Sequence, residues 1–67
     1  MLNVKLVKKK MKEMNVSNKK LADGLGVHHG TIGNWFSYFR VPTLSHVIAM
    51  CKILDLKIDD AIIGVVE

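Results

Sequence analysis

The chain has 67 residues, with ten Lys/Arg against six Asp/Glu for a formal charge of +4, one cysteine, one proline and 49% apolar residues. That length allows one domain, since domains mostly run to ~100–150 residues, and the apolar fraction excludes disorder, which goes with low hydrophobicity. A domain this small buries only about 60% of the surface its unfolded chain exposes, so a mean hydropathy of +0.22 leaves apolar surface that a partner subunit could cover.

Residues 1–40 hold eight basic and two acidic side chains, a balance of +6, and residues 41–67 hold two basic and four acidic, a balance of −2. A basic front suggests a polyanionic partner; its plain alternative is a solvated lysine-rich face. One cysteine cannot form an internal disulfide, and the three histidines have no thiol or carboxylate companions at ligand spacing. Neither a metal nor a cofactor is expected. No nucleophile–base or carboxylate pair is visible, so no catalytic residue and no enzyme activity are expected. No apolar run approaches the ~20 residues of a membrane span, and no apolar h-region marks a signal peptide. A cytoplasmic protein without a membrane partner is the expectation.

Apolar spacing is helical throughout. Asn3 can cap a first helix to about residue 14, with Val4, Val7, Met11 and Met14 as its inner stripe. Ser17 can cap a second, with Leu21, Ala22 and Leu25 on its buried edge. Lys19 and Lys20 stand in its first turn, where the helix dipole disfavours cations by about 0.3–1 kcal/mol each. A nearby phosphate would reverse that cost; otherwise they are simply exposed. Gly26 suits the left-handed residue that ends a helix.

A third helix is predicted over about 28–37, His28 standing in the N-cap seat. With Ile32 at the centre of the inner face, Trp35, Phe36 and Phe39 fall inward, Gly30, Gly33, Asn34 and Ser37 outward, and His29 and Thr31 flank the outer face. Pro42 stops continuation and Thr43 can cap a fourth helix. Its stripe is Leu44, Val47, Ile48, Cys51 and Leu54, which makes Cys51 a core residue rather than a reactive one. A short last helix is predicted over about 58–63, with Asp59 and Asp60 suiting its dipole. Five helices make an all-α fold.

Ala22 precedes Gly26 by four and Ile32 follows it by six. Ala22 is small where two helices cross, Gly26 makes the sharp turn, and Ile32 plugs the core. This spacing, within Leu21-Ala22-Asp23-Gly24-Leu25-Gly26-Val27 and followed by Ile32 and Trp35, resembles the Cro/CI-type (xenobiotic-response-element) family of bacterial and phage regulators. The resemblance runs through Pro42, the fourth-helix stripe and Leu54-Asp55-Leu56-Lys57-Ile58-Asp59-Asp60, roughly residues 4–63.

That resemblance implies a lambda-repressor-like fold over residues 1–67, with the helix-turn-helix at about 17–37 and a dimerisation region at about 56–67. It implies a sequence-specific transcriptional regulator of double-stranded DNA, with repression the expected sense, acting as a homodimer on a near-palindromic operator. The third helix would enter the major groove. Base contacts fall to His28, His29, Gly30, Thr31 and Asn34. Phosphate contacts fall to Ser17, Asn18, Lys19 and Lys20, and to Ser37, Tyr38, Arg40 and Thr43 in the following loop. Ile58, Ile62, Ile63, Val65 and Val66 are the dimer candidates, although Val65-Val66 could instead fold over their own core.

The chain departs from the family pattern in three places. Gly30 and Gly33 each cost about 1 kcal/mol of helix stability relative to Ala; they signify either close approach to DNA or an imperfect helix rescued by packing. Met11 and Phe36 occupy the seats of an Arg–Glu pair common in the family, and a Met–Phe contact is expected to fill that space. Tyr38 stands where the family usually has Gly, so a reshaped exit from the third helix is expected. No arginine on the third helix can read guanine, whereas Asn can pair with adenine and Thr can meet the thymine methyl. A·T-leaning recognition with a large shape component is therefore expected. The rival reading is a helix-turn-helix protein-interaction module, antitoxin or anti-repressor-like, with a regulatory protein partner and little specific DNA binding.

Overall fold

A computed structural model describes residues 2–62 of the chain. Five helices follow in order: α1 (Val4–Met14), α2 (Asn18–Leu25), α3 (His29–Phe36), α4 (Leu44–Leu54) and α5 (Ile58–Ala61). The polar residues before the first four helices cap them. The Asn3 side-chain oxygen accepts from the Leu6 amide at 3.2 Å, Ser17 Oγ from Lys20 at 3.1 Å, His28 Nδ1 from Gly30 at 3.0 Å and Thr43 Oγ1 from His46 at 3.3 Å. Each bond satisfies an amide that the first helical turn leaves without a partner.

The same four helices close on a single left-handed residue: Asn15 (φ 58°), Gly26 (φ 71°), Tyr38 (φ 63°) and Asp55 (φ 54°). Short loops follow, so neighbouring helices fold back at once. α2 packs against α3 and α4, and α4 also packs against α1 and α5. Val7, Leu21, Ile32, Met50 and Leu54 meet at the centre with no exposure above 1%. Gly24 serves close approach between α2 and α4, because a β-carbon there would lie 2.9 Å from Ile53 Cδ1.

The two ends of the described chain are tied together. Ile62 is extended and forms an antiparallel bridge with Leu2. The Asn3 amide donates to the Ala61 carbonyl at 2.7 Å, and the Asn3 side-chain nitrogen donates to the Asp60 carbonyl at 3.2 Å.

Several expectations need correction. Phe39, placed on the inner face, is 72% exposed. α3 ends at Phe36, and the left-handed Tyr38 turns the chain before helical periodicity could carry residue 39 inward. Met14 and Leu44 are exposed because each sits at a helix terminus that overhangs the core, and Met50 takes a buried place on α4 that the stripe omitted. α5 stops at Ala61, so Ile62 is bridge backbone rather than helix.

The exit from α3 is not reshaped. Tyr38 takes the left-handed conformation at a cost of roughly 1–2 kcal/mol. In return the Phe39 amide donates to the Asn34 carbonyl at 2.9 Å and the Tyr38 amide to the Trp35 carbonyl at 3.2 Å. These bonds satisfy carbonyls at the helix end. The Tyr38 hydroxyl also donates to the Leu2 carbonyl at 3.4 Å.

Candidate nucleic-acid interface

α3 has one buried edge and one open one. Ile32 and Trp35 anchor it in the core, with Phe36 half-buried beside them. His28, His29, Gly30, Gly33 and Asn34 are exposed on the opposite side, and Thr31 is half-buried at its margin. The His28 and His29 rings stack with centroids 4.3 Å apart. Since Nδ1 of His28 accepts the Gly30 amide, its neutral ring carries the proton on Nε2, which remains a donor.

Ser17, Asn18, Lys19 and Lys20 are all exposed around the start of α2. The first turn of that helix carries no acidic residue beside the two lysines. Their charge adds to the positive end of the helix dipole, an arrangement that attracts anions.

The loop after α3 brings a second group of candidates to the same helix. Ser37 Oγ donates to the Asn34 carbonyl at 3.2 Å, and the Arg40 amide donates to that oxygen at 3.2 Å. An open cleft of ≈390 Å³ then collects Thr31, Asn34, Arg40 and Thr43, together with Trp35, Val41, Pro42 and His46. Thr43 Oγ1 and His46 Nδ1 are 3.1 Å apart, and His46 packs 5.2 Å from the Trp35 ring. The cleft therefore joins the outer face of α3 to the start of α4, with a cation and two hydroxyl groups along it. Tyr38, by contrast, directs its hydroxyl to Leu2 and away from this group.

A helix-turn-helix family profile matches residues 7–60. The chain belongs to the Cro/CI-type helix-turn-helix family. It is a DNA-binding helix-turn-helix regulator. No curated protein matches the chain. Within the matched span α2, the left-handed Gly26 and α3 follow one another and pack together, with Ala22 of α2 1% exposed.

Two lysines that the site reading omitted lie beside this element. Lys8 and Lys12, one helical turn apart on α1, border a shallow cleft that also includes Asn18. The Lys8 ammonium stands 5.6 Å from the centre of the Phe36 ring. Met11 is buried, and Phe36 packs against the core. Lys8 and Lys12 stand one turn apart among the five lysines of α1, and that i, i+4 spacing was the available signal.

Of the dimer candidates, Ile58 is exposed on α5, and Ile62 is half-buried in the bridge with Leu2. Ile63, Val65 and Val66 lie outside the described residues. Among the described residues, no three His, Cys, Asp or Glu side chains stand where they could hold a metal, and no helix is long and apolar enough to cross a membrane. Cys51 is buried on α4, and desolvation pushes its thiol pKa above the ordinary value.

Proposed function

We propose that the protein is a cytoplasmic, non-enzymatic repressor that binds a near-palindromic operator as a homodimer, with α3 in the major groove. The observation that carries this reading is the convergence of Thr31, Asn34, Arg40 and Thr43 on one open cleft along α3. Asn34 and Thr31 read bases, Asn34 by a bidentate pair with adenine and Thr31 by its methyl group on thymine. His28, His29 and Gly30 lie at the leading end of α3, where recognition helices contact base edges. Ser17, Asn18, Lys19 and Lys20 hold the backbone on one side, and Ser37, Arg40 and Thr43 on the other. These contacts position the helix without specifying sequence. Lys8 and Lys12 extend the first backbone track past Asn18.

Dimerisation places two such helices about 34 Å apart, one turn of the duplex. Ile58, Ile62 and the 56–67 region contribute to that pairing, and the chain acts as one domain with the helix-turn-helix at about 17–37.

Selecting bound sites from a random duplex pool and then substituting each base tests the reading. Recovery of an A·T-leaning inverted repeat is the expected result. Specificity concentrated on a G·C pair would remove the roles given to Asn34 and Thr31. No enrichment of any site would favour the protein-interaction module instead.

A further inference from the structure

Tyr38 stands at a left-handed position (φ 63°) that glycine would occupy without steric penalty. The hydrogen bonds that close α3 there use backbone amides, which a glycine would supply equally well. What a glycine would lack is the side chain. The Tyr38 hydroxyl donates to the Leu2 carbonyl at 3.4 Å, and the residue borders a small hollow of ≈90 Å³ together with Leu2, Trp35, Arg40, Val41 and Pro42. A residue held in a strained conformation points to a use for what its side chain brings.

Leu2 is a firm anchor. It is buried, it pairs with Ile62 in the antiparallel bridge, and the Asn3 amide beside it donates to the Ala61 carbonyl at 2.7 Å. The loop after α3 has weaker supports of its own. Ser37 Oγ and the Phe39 and Arg40 amides all converge on the Asn34 carbonyl, at 3.2, 2.9 and 3.2 Å. A carbonyl oxygen has two lone pairs, so three donors share it imperfectly. Arg40 borders both the small hollow and the open cleft along α3, whereas Tyr38 does not border the cleft. Tyr38 therefore acts on the cleft through its neighbours, and Arg40 is the charged one.

We propose that Tyr38 is a positioning residue for DNA binding: it braces the α3–α4 loop against the joined chain ends, and so holds Arg40 at the cleft for a backbone phosphate. Its hydroxyl is turned to Leu2, so Tyr38 makes no phosphate contact of its own. The Arg40 guanidinium packs 5.7 Å from the exposed Phe39 ring, and both residues follow wherever the loop backbone goes. Without the brace the guanidinium spreads over more positions, and its phosphate contact then carries an ordering cost. The role presupposes the operator reading above, in which Arg40 contacts the DNA backbone.

Salt titrations of the duplex selected from the random pool test this role. They use the full chain, its Tyr38→Asn, Tyr38→Gly, Tyr38→Phe and Arg40→Gln variants, and the Tyr38→Asn/Arg40→Gln double variant. Asn and Gly enter the left-handed region more readily than Tyr, so they keep the turn and remove the brace. Circular dichroism at the assay temperature checks each fold. Arg40→Gln should lower the slope of log K against log salt by about 0.9, the share of one phosphate. Tyr38→Asn and Tyr38→Gly should each lower it by at least about half as much, although neither removes a charge, and weaken binding about threefold or more at about 0.1 M salt. In the double variant the slope should fall no further than in Arg40→Gln. Tyr38→Phe, which keeps the ring, should stay within about twofold of the wild type. An unchanged slope in Tyr38→Asn and Tyr38→Gly overturns the proposal, as does a double variant whose losses add. Tyr38→Phe binding as weakly as Tyr38→Asn, with the wild-type slope, would overturn it by making the hydroxyl a direct phosphate contact. Unfolding of both ringless variants would overturn it by making Tyr38 a support of the whole fold. A wild-type chain that selects no duplex discards the operator reading and this role with it, whereas wild-type binding with unaffected Tyr38 variants discards this role alone.

Discussion

The Gly30 amide donates to His28 Nδ1 at 3.0 Å, so a histidine side chain caps α3. Replacing Ser, Thr, Asn or Asp caps by Ala costs about 0.5–2 kcal/mol, and the same loss is expected for His28→Ala. His28→Asn, which keeps an acceptor, should recover most of it. Thermal denaturation of the two variants measures the difference. Equal stability would show that the cap contributes nothing.

Gly30 and Gly33 should respond differently to alanine. A β-carbon at Gly30 would lie 3.1 Å from His28 Nδ1, crowding the cap, whereas one at Gly33 meets nothing within 4 Å. Gly33→Ala is therefore expected to stabilise the fold by about 0.5–1 kcal/mol through helix propensity. Gly30→Ala should gain less or nothing. If the α3 backbone approaches DNA closely at Gly33, Gly33→Ala weakens operator binding at least tenfold while raising the melting temperature. Stronger folding with unchanged DNA binding would instead mark the glycine as a tolerated helix defect.

Cationic contacts are separable by salt. Each phosphate neutralised on B-DNA adds about 0.9 to the slope of log K against log salt. Lys19→Gln and Lys20→Gln should each reduce that slope by roughly one and weaken all sequences alike. Lys8→Gln and Lys12→Gln should do the same if the cleft they share with Asn18 lies on the backbone. Asn34→Ala should leave the slope intact and cost about 1–3 kcal/mol at one base pair only. A uniform loss for Asn34→Ala, with no change in preference, would remove its reading role.

Cys51 should be inert at neutral pH. It is 5% exposed and its thiol pKa is raised by desolvation, so little thiolate forms. The raised native pKa means the folded state holds this proton more tightly than the unfolded chain. The associated stability is complete below the unfolded thiol's pKa and is lost as pH rises through the folded value. Thiol-reagent kinetics, compared in native and denatured protein, should show slow modification that unfolding accelerates. Equally fast modification of both would contradict the burial.

Much of the fold was legible because its signals are local. Asn3, Ser17, His28 and Thr43 cap where their side chains suggested, and Ala22, Gly26 and Ile32 sit as their spacing implied. What failed depended on tertiary context. Phe39 carries the same hydrophobicity as a core residue, and only the left-handed turn at Tyr38 exposes it. Tyr38 itself was expected to avoid that conformation, yet the helix-end hydrogen bonds and the Leu2 carbonyl hold it there. Ile62 pairs with a residue at the other end of the chain, a non-local contact that helical periodicity cannot express. On the candidate interface, outward residues were visible from 100° spacing. The cleft joining Asn34 to Arg40 and Thr43 arises from the loop path, which spacing does not encode.

Duplex DNA is the expected ligand of the open face of α3 and its flanking cations. Titration of the wild-type chain with its selected duplex, at about 50 and about 200 mM salt, tests it most directly. The same titration with a Thr31→Asp/Asn34→Asp variant supplies the control. A chain making 6–10 phosphate contacts should lose ~10³–10⁵ in affinity across that range. The doubly acidic variant should bind poorly at both salts while melting as the wild type does. Binding that ignores salt, or a well-folded variant that binds as tightly as the wild type, would show that this face does not hold DNA.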